Sequence, residues 1–276
     1  MTKTILITGC SSGIGLCAAE KLQQRGYQVF ATARKESDVK KLQEKGLASL
    51  HLDLNDSNSI KNSLEKILQQ THGTLDAVFN NAGFAVPGAV EDITRDMMRT
   101  QFETNVFGTM ELTNLILPIM RKQNHGRIIF NSSILGIVTM PFRGAYNASK
   151  FAIEGFANTL RQELRNSGIF VSIINPGPIE TLFRHNAQKN YQLTLRDKES
   201  YYRDNYSHME KRFIEPDASE KHLTLGPNAV VKKLIHALES KHPKAHYFVG
   251  FPAHLFAVLR RVLPDGGLDF VMKLID

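Results

Sequence analysis

An apolar run, TILIT over residues 4–8, breaks without transition into GCSSGIG over residues 9–15. A strand that gives way at once to three glycines and then to a helical pattern permits few folds. Gly9 can take the positive φ of a sharp turn, a missing Cβ at Gly13 lets a pyrophosphate approach the backbone, and Gly15 lets the helix close on the sheet. The free amides of the new helix, from Ser11, Ser12 and Ile14 onward, and its dipole favour a phosphate charge. The spacing is GxxxGxG rather than the common GxGxxG, and the competing reading is a tight structural turn.

The rest of the chain supplies a context for such a turn. Strand patterns at 4–8, 27–34, 48–54, 76–83, 126–133, 169–177 and 246–250 alternate with helical patterns at 14–24, 38–45, 58–71, 95–121, 146–166 and 226–240. This rhythm predicts an α/β fold: a single-domain, Rossmann-like, doubly wound parallel sheet of about seven strands with helices on both faces. With 276 residues, 42% of them hydrophobic, and no linker-like or repetitive tract, the chain is expected to be one domain over 1–276. Within it, 1–182 reads as the cofactor-binding and catalytic core, 183–225 as a substrate loop or lid, and 252–276 as a C-terminal extension.

Composition excludes several classes of function. The net charge of +7 comes from lysines and arginines spread among acids, without the aromatic interleaving of a nucleic-acid track, so no nucleic-acid partner is expected. Ten histidines form no HExxH-like pattern, so no metal site is expected. Two cysteines, Cys10 and Cys17, cannot make a disulfide scaffold, and the first strand starts too early for a leader, so a cytoplasmic location is expected.

The strand ends carry polar groups suited to a dinucleotide. The second strand closes with Ala33, Arg34 and Lys35, where an acid would be expected to meet a free ribose 2′-hydroxyl. A guanidinium there suits a 2′-phosphate, which favours NADP (NADPH) over NAD. Asp53 could accept from an adenine amino group and Leu54 offers backbone contacts; a turn or helix-capping role for Asp53 competes. Asn80, Asn81, Ala82 and Gly83 give polar anchors and a close approach to a ribose, or else the two asparagines tie adjacent strand ends together.

Tyr146 and Lys150 stand four residues apart, on one helix face. A tyrosine is a poor base near pH 7, but a neighbouring ammonium favours its phenolate, and such a tyrosine can move a proton to or from a carbonyl or alcohol oxygen. Ser133, thirteen residues earlier at a strand end, could hold the same oxygen. A YxxxK pair alone is a weak signal; its place after two cofactor-like strand ends gives it weight.

With TGCSSGIG (8–15), NNAG (80–83), Asn105, Ser133, YNASK (146–150) and NPG (175–177) in place, the sequence resembles the short-chain dehydrogenase/reductase family over about residues 3–182. The resemblance implies that Ser133 stabilises the substrate oxygen and Tyr146 is the acid/base. It implies that Lys150 contacts the nicotinamide ribose and lowers the tyrosine pKa, and that Asn105 supports the lysine through a bound water. It further implies that Pro176, Gly177 and Thr181 shape the nicotinamide wall. The chain end bears a looser likeness to aldehyde reductase, retinol and 17β-hydroxysteroid dehydrogenase-like members. The expected reaction is hydride transfer between nicotinamide and an apolar carbonyl or alcohol. A sugar or polyol dehydrogenase and a non-catalytic NADP(H)-binding regulator are the alternatives, and a homo-oligomer, dimer or tetramer, is expected.

Phe84, Ile134, Leu135, Met140, Pro141 and Phe142 are candidate substrate walls, with core packing as the competing reading. Residues 178–225 would add one or two helices over the site. In the tail, residues 252–263 read as a helix with Ala253, Phe256, Ala257 and Arg260 on one face. It would border the substrate entrance, with peripheral membrane contact through its arginines, or pack on the body or on a second subunit.

Overall fold

The computed structural model describes residues 2–214 and 222–273. Met1, residues 215–221 of the expected lid and residues 274–276 of the expected extension lie outside the described residues. The first half runs β1 (Thr4–Ile7), α1 (Gly13–Gln24), β2 (Gln28–Ala33), α2 (Glu36–Glu44), β3 (Ala48–His51), α3 (Ser57–Gln70), β4 (Ala77–Asn80), α4 (Arg95–Phe102) and α5 (Gly108–Lys122). The second half runs β5 (Gly126–Asn131), α6 (Gly144–Glu163), β6 (Ile169–Pro176), α7 (Phe183–Thr194), α8 (Arg203–Ile214), α9 (Asn228–Glu239), β7 (His246–Val249), α10 (Phe251–Val262) and α11 (Asp265–Lys273).

All seven strands are parallel, in the order β3-β2-β1-β4-β5-β6-β7. Each strand is apolar on both faces because each face is covered. Ile5, Ile7, Val29 and Phe79 pack with α1 and α9 residues such as Ala18, Leu22, Val231 and Leu234. Leu6, Val78, Ile128 and Phe130 pack with α3, α5 and α6 residues such as Ile60, Ile116 and Ile153 on the other side. The strand order reverses direction between β1 and β4, so a crevice opens at their carboxyl ends, where ligands of such sheets bind.

Three boundaries differ from the sequence reading. The strands stop one to three residues short, because TGC, LDL and NAG already belong to the turns that leave the carboxyl edge. The expected helix over 95–121 is interrupted by a π-helical turn, Glu103–Phe107, whose extra residue turns Asn105 into the protein. Such turns occur mostly inside α-helices at functional sites. Finally, the extension holds a second helix, α11, beyond the one expected over 252–263, and it carries Gly266 and Gly267 in its first turn.

Asp56 caps α3, accepting from the Asn58 amide at 2.9 Å, and Pro227 leads α9. Among the described residues, no helix is long and apolar enough to cross a membrane.

Candidate active site

The β1–α1 turn is built by close approaches. Gly9 has φ +71°, and a Cβ there would come within 2.8 Å of the Ala82 Cα. A Cβ on Gly15 would fall onto the Gly9 carbonyl oxygen. Ser12 precedes α1 but its hydroxyl makes no capping bond, and Ser11 is exposed beside it. The first-turn amides of α1, from Gly13 and Ile14, therefore face the crevice at the positive end of the helix.

Asn81 is the clamp of this edge. Its Nδ2 donates to Thr8 O at 2.9 Å and Gly9 O at 3.2 Å, and its Oδ1 accepts from Asn131 Nδ2 at 2.9 Å. The ends of β1, β4 and β5 are tied through one side chain. The strand-tying role raised for the asparagines is present at Asn81, whereas Asn80 donates to Thr113 Oγ1 of α5 at 3.1 Å. Ala82 and Gly83 follow, and a Cβ on Gly83 would stand 3.2 Å from Asn105 Oδ1 and 3.8 Å from Lys150 Nζ.

Arg34 and Lys35 stand exposed at the carboxyl end of β2. Asp53 lies two residues beyond β3, where its Oδ1 accepts from the Asn55 amide at 3.0 Å, a local turn bond. Leu54 beside it is buried. Pro176 ends β6, and the Gly177 amide donates to Val249 O at 2.9 Å. Thr181 turns its methyl against Gly13, 3.0 Å from where a Cβ would be, and its hydroxyl accepts from the Phe183 amide at 3.2 Å. The segment after β6 therefore leans on the glycine-rich turn.

The four remaining residues converge between β5, α6 and the π-helical turn. Asn105 is locked: its Oδ1 accepts from Phe84 N at 3.1 Å, and its Nδ2 donates to Phe84 O at 3.0 Å and to Ser149 Oγ at 3.1 Å. Lys150 is buried, donates to Asn131 O at 2.7 Å, and its Nζ lies 5.7 Å from the Tyr146 ring centre. Ser133 starts a short turn, accepting from Leu135 N at 3.1 Å, and its side chain acts on Tyr146. Ser132, its neighbour, is buried on the other side, beside Glu154. Of the two serines it is thus Ser133 that stands with Tyr146.

Electrostatically the pair differs from the sequence reading. Burial pushes Tyr146 up to about 12, with Ser133 and Arg143 pulling it down. Burial brings Lys150 down to about 8, opposed by the charge of Glu154. Desolvation is the largest cause at both groups, and the Lys150 ammonium donates to Asn131 O.

Tyr146 sits in an apolar cluster with Leu135, Val138, Ala187, Phe256, Leu268 and Met272, against which Ile134 and Met140 pack. Phe183 adds a ring 5.3 Å from the tyrosine ring. Phe84 and Phe142 belong instead to a second cluster with Tyr191, Leu195 and Tyr206, beneath α7 and α8. Two expected walls thus serve as the footing of the covering helices. Ala187 comes from α7, within the stretch 178–225 expected over the site, whereas Leu268 and Met272, from the glycine-bearing α11, were not singled out in the sequence. It found Phe256 through the helical strip of the tail.

Comparisons with known proteins agree with this architecture. The short chain dehydrogenase family model matches residues 3–192. An uncharacterized oxidoreductase of Escherichia coli K12, YbbO, is 39% identical over 273 residues, covering 99% of this chain and 95% of that protein. The 3-ketodihydrosphingosine reductase of Bacteroides thetaiotaomicron is 32% identical over 272 residues, covering 98% and 96%. Among solved structures, a short-chain dehydrogenase from Streptomyces avermitilis superposes with a TM-score of 0.79 at 26% identity, covering 100% of this chain and 95% of that one. A Burkholderia phymatum member in complex with NAD reaches 0.77 at 23% identity, covering 93% and 92%. Sequence match, sheet order and relatives along nearly the whole length agree: the chain belongs to the short-chain dehydrogenase family and is an oxidoreductase.

Proposed function

We propose that the protein is an NADP(H)-dependent oxidoreductase that interconverts an apolar carbonyl compound and its alcohol. The observation that carries this reading is the convergence of Ser133, Tyr146, Lys150 and Asn105 at the carboxyl edge of the sheet, under an apolar wall. The glycine cradle, Asn81–Gly83, Asp53, Leu54, Pro176, Gly177 and Thr181 lie at the carboxyl ends of β1, β4, β3 and β6, and this is the edge that would hold the dinucleotide. Bound there, the nicotinamide supplies or accepts the hydride. Tyr146, a neutral phenol at pH 7, donates its proton to the carbonyl oxygen while Ser133 holds that oxygen. Asn105 is fixed by Phe84 and Ser149 beside Gly83, and Asn131 O holds the Lys150 ammonium 5.7 Å from the tyrosine ring centre.

A wall of Leu135, Val138, Met140, Phe183, Phe256 and Met272 favours apolar substrates over sugars or polyols. The relative named for 3-ketodihydrosphingosine reduction supports a long-chain ketone among the candidates. The test is an NADPH-oxidation screen over aldehydes, ketones, retinoids, steroids and sugars. Consumption with the apolar carbonyls supports the reading, turnover of sugars alone would replace it, and turnover of none of them would leave a binding protein.

Exposed Arg34 carries the choice of cofactor. Arg34→Ala should weaken NADPH by roughly ten- to a hundredfold, the loss of a charged hydrogen bond of about 1.5–3 kcal/mol, with little change for NADH. Titration of both nucleotides decides it, and equal weakening refutes a 2′-phosphate contact.

The chain is taken as one unit, with the core over 1–182, the cover over 183–225 and the extension over 252–276. A cytoplasmic location fits its two free cysteines. A dimer or tetramer is part of the same reading, given the exposed Phe107 and Phe151 on the π-helical turn and α6.

The extension has two faces. Ala253, Phe256 and Ala257 are buried, so α10 packs on the body, while Phe251, Leu255, Val258 and Val262 form an exposed strip at helical spacing. Arg260 and Arg261 are both exposed, and Arg260 is tied to Asp265 at 2.7 Å. Weak contact of this strip with a membrane surface should appear as binding to anionic liposomes at low salt, reduced by Phe251→Ser together with Val258→Ser. Equal retention of wild type and the double variant refutes it.

A further inference from the structure

Directly beneath the candidate active site lies a carboxylate that the reaction as described does not use. Glu154 follows Lys150 by one helical turn on α6, so both side chains leave the same helix face. It is buried, with 7% of its surface exposed. Its Oε1 accepts from Asn175 Nδ2 at 2.5 Å, and the same amide donates to the Ser133 carbonyl at 3.2 Å. A buried carboxylate costs several kcal/mol to keep unless charge or hydrogen bonds hold it, so a chain with no use for one would carry an apolar side chain here.

We propose that Glu154 is a positioning residue of the active site: its carboxylate supplies the negative charge opposite the Lys150 ammonium and, through the Asn175 amide, fixes the backbone that carries Ser133. One side chain thereby serves two of the four converging residues from behind. The inference rests on the functional reading above for its consequence in turnover, but the juxtaposition itself does not.

The surroundings of the carboxylate are mixed in charge. On α6 it stands one turn beyond Lys150, on the same face, with its charge favouring the ammonium. From the end of β5 it meets Ser132, and from β6 Asn175. From β7, His246 Nδ1 stands 3.7 Å from Glu154 Oε2 and 3.2 Å from Asn175 Oδ1, while its Nε2 lies 3.3 Å from Asn158 Oδ1. The Asn175 amide is oriented by its two acceptors, so its oxygen faces the imidazole and Nδ1 is the donor. Burial, with Arg161 and Arg261 nearby, holds His246 below its ordinary pKa, so Lys150 is the dominant positive partner at neutral pH. Toward the substrate side, Tyr146 faces Ser133 and Arg143.

Loss of the Glu154 charge, by substitution or by protonation, weakens the support of Lys150. The Glu154 charge opposes the burial that depresses Lys150, so removing it should make the lysine lose its proton at lower pH. Burial raises Glu154 itself, so its protonation on the acid side should weaken the same support.

Glu154→Gln is the direct test, since glutamine keeps an acceptor for Asn175 and removes only the charge. The Lys150 ammonium would be followed by NMR of 15N-lysine-labelled protein without cofactor, assigned with Lys150→Met. Its midpoint should fall by about one pH unit in Glu154→Gln and return most of the way in Glu154→Asp. The alkaline limb of kcat/KM against pH should move with it. A folded Glu154→Gln protein with an unmoved Lys150 midpoint overturns the proposal, even if it is slower or less stable, because that is what a purely structural role gives. If Glu154→Gln does not fold, wild type still decides: the Lys150 signal should shift as the Glu154 carboxyl titrates, and a flat signal overturns the proposal. Absence of turnover in wild type would refute the functional reading and leave the NMR result standing by itself.

Discussion

Replacing Tyr146 by phenylalanine should lower turnover by about 10²–10⁴ while leaving NADPH affinity within a few-fold of wild type. The substitution removes one hydroxyl and keeps the ring that packs against Phe183, Leu135 and Phe256, so the fold has no reason to change. What is lost is the proton donor to the carbonyl oxygen; Ser133 still offers its hydroxyl, which is why some rate survives. Because burial holds Tyr146 near 12, the phenol is protonated across the neutral range and ready to donate in the direction of reduction. Alcohol oxidation needs the phenolate, so its rate should rise with pH through the alkaline range, whereas reduction should not gain. Stopped-flow or steady-state rates and a fluorescence titration of NADPH measure both quantities. A phenylalanine variant with wild-type kcat would remove Tyr146 from the chemistry.

The fold was legible because its signals are local and repeated. Apolar strand runs, helical spacing and glycines at turns all report on a backbone that every residue helps to define, and the parallel order follows from short alternation alone. The site was legible where chemistry needs a fixed spacing on one element, as for Tyr146 and Lys150, or a turn at a strand end, as for Gly9–Gly15 and Asn81–Gly83. It was not legible where function depends on the environment. No spacing reveals that desolvation is the largest influence on Tyr146, or that Lys150 donates to Asn131 O.

Long-range packing was likewise hidden. Phe84 and Phe142 look like substrate walls in sequence, yet they support α7 and α8, because the tyrosines that cover them arrive from residues 191–206. Leu268 and Met272 reach Tyr146 from a helix that opens on two glycines, a composition that argues against any helix at all. Glu154 carried a faint signal: an acid one turn beyond Lys150, on the face that must be buried.

Two glycine-to-alanine substitutions should move stability in opposite directions, and together they separate cradle from scaffold. At Gly15 an added methyl would land on the Gly9 carbonyl and lie 2.6 Å from Asn81 Nδ2. Neither neighbour can yield easily, since Gly9 is held in the turn and Asn81 ties three strand ends. Overpacking of this kind costs about 1–3 kcal/mol, and here the displaced atoms are the cradle itself. Gly15→Ala should therefore unfold at lower denaturant and bind NADPH at least roughly tenfold more weakly, in keeping with about 1.4 kcal/mol per decade. At Gly155, exposed in the middle of α6, a methyl would meet nothing within 4 Å. Gly155→Ala removes only the backbone freedom of the unfolded chain and the poor helix propensity of glycine, so it should stabilise by roughly 0.5–1 kcal/mol and leave NADPH binding unchanged. Denaturant melts and nucleotide titrations on both variants check the pair. If Gly15→Ala binds NADPH as wild type does, the β1–α1 turn is not the cradle, whatever its stability. If Gly155→Ala also lost affinity, the measurement would be reporting general damage instead of a site.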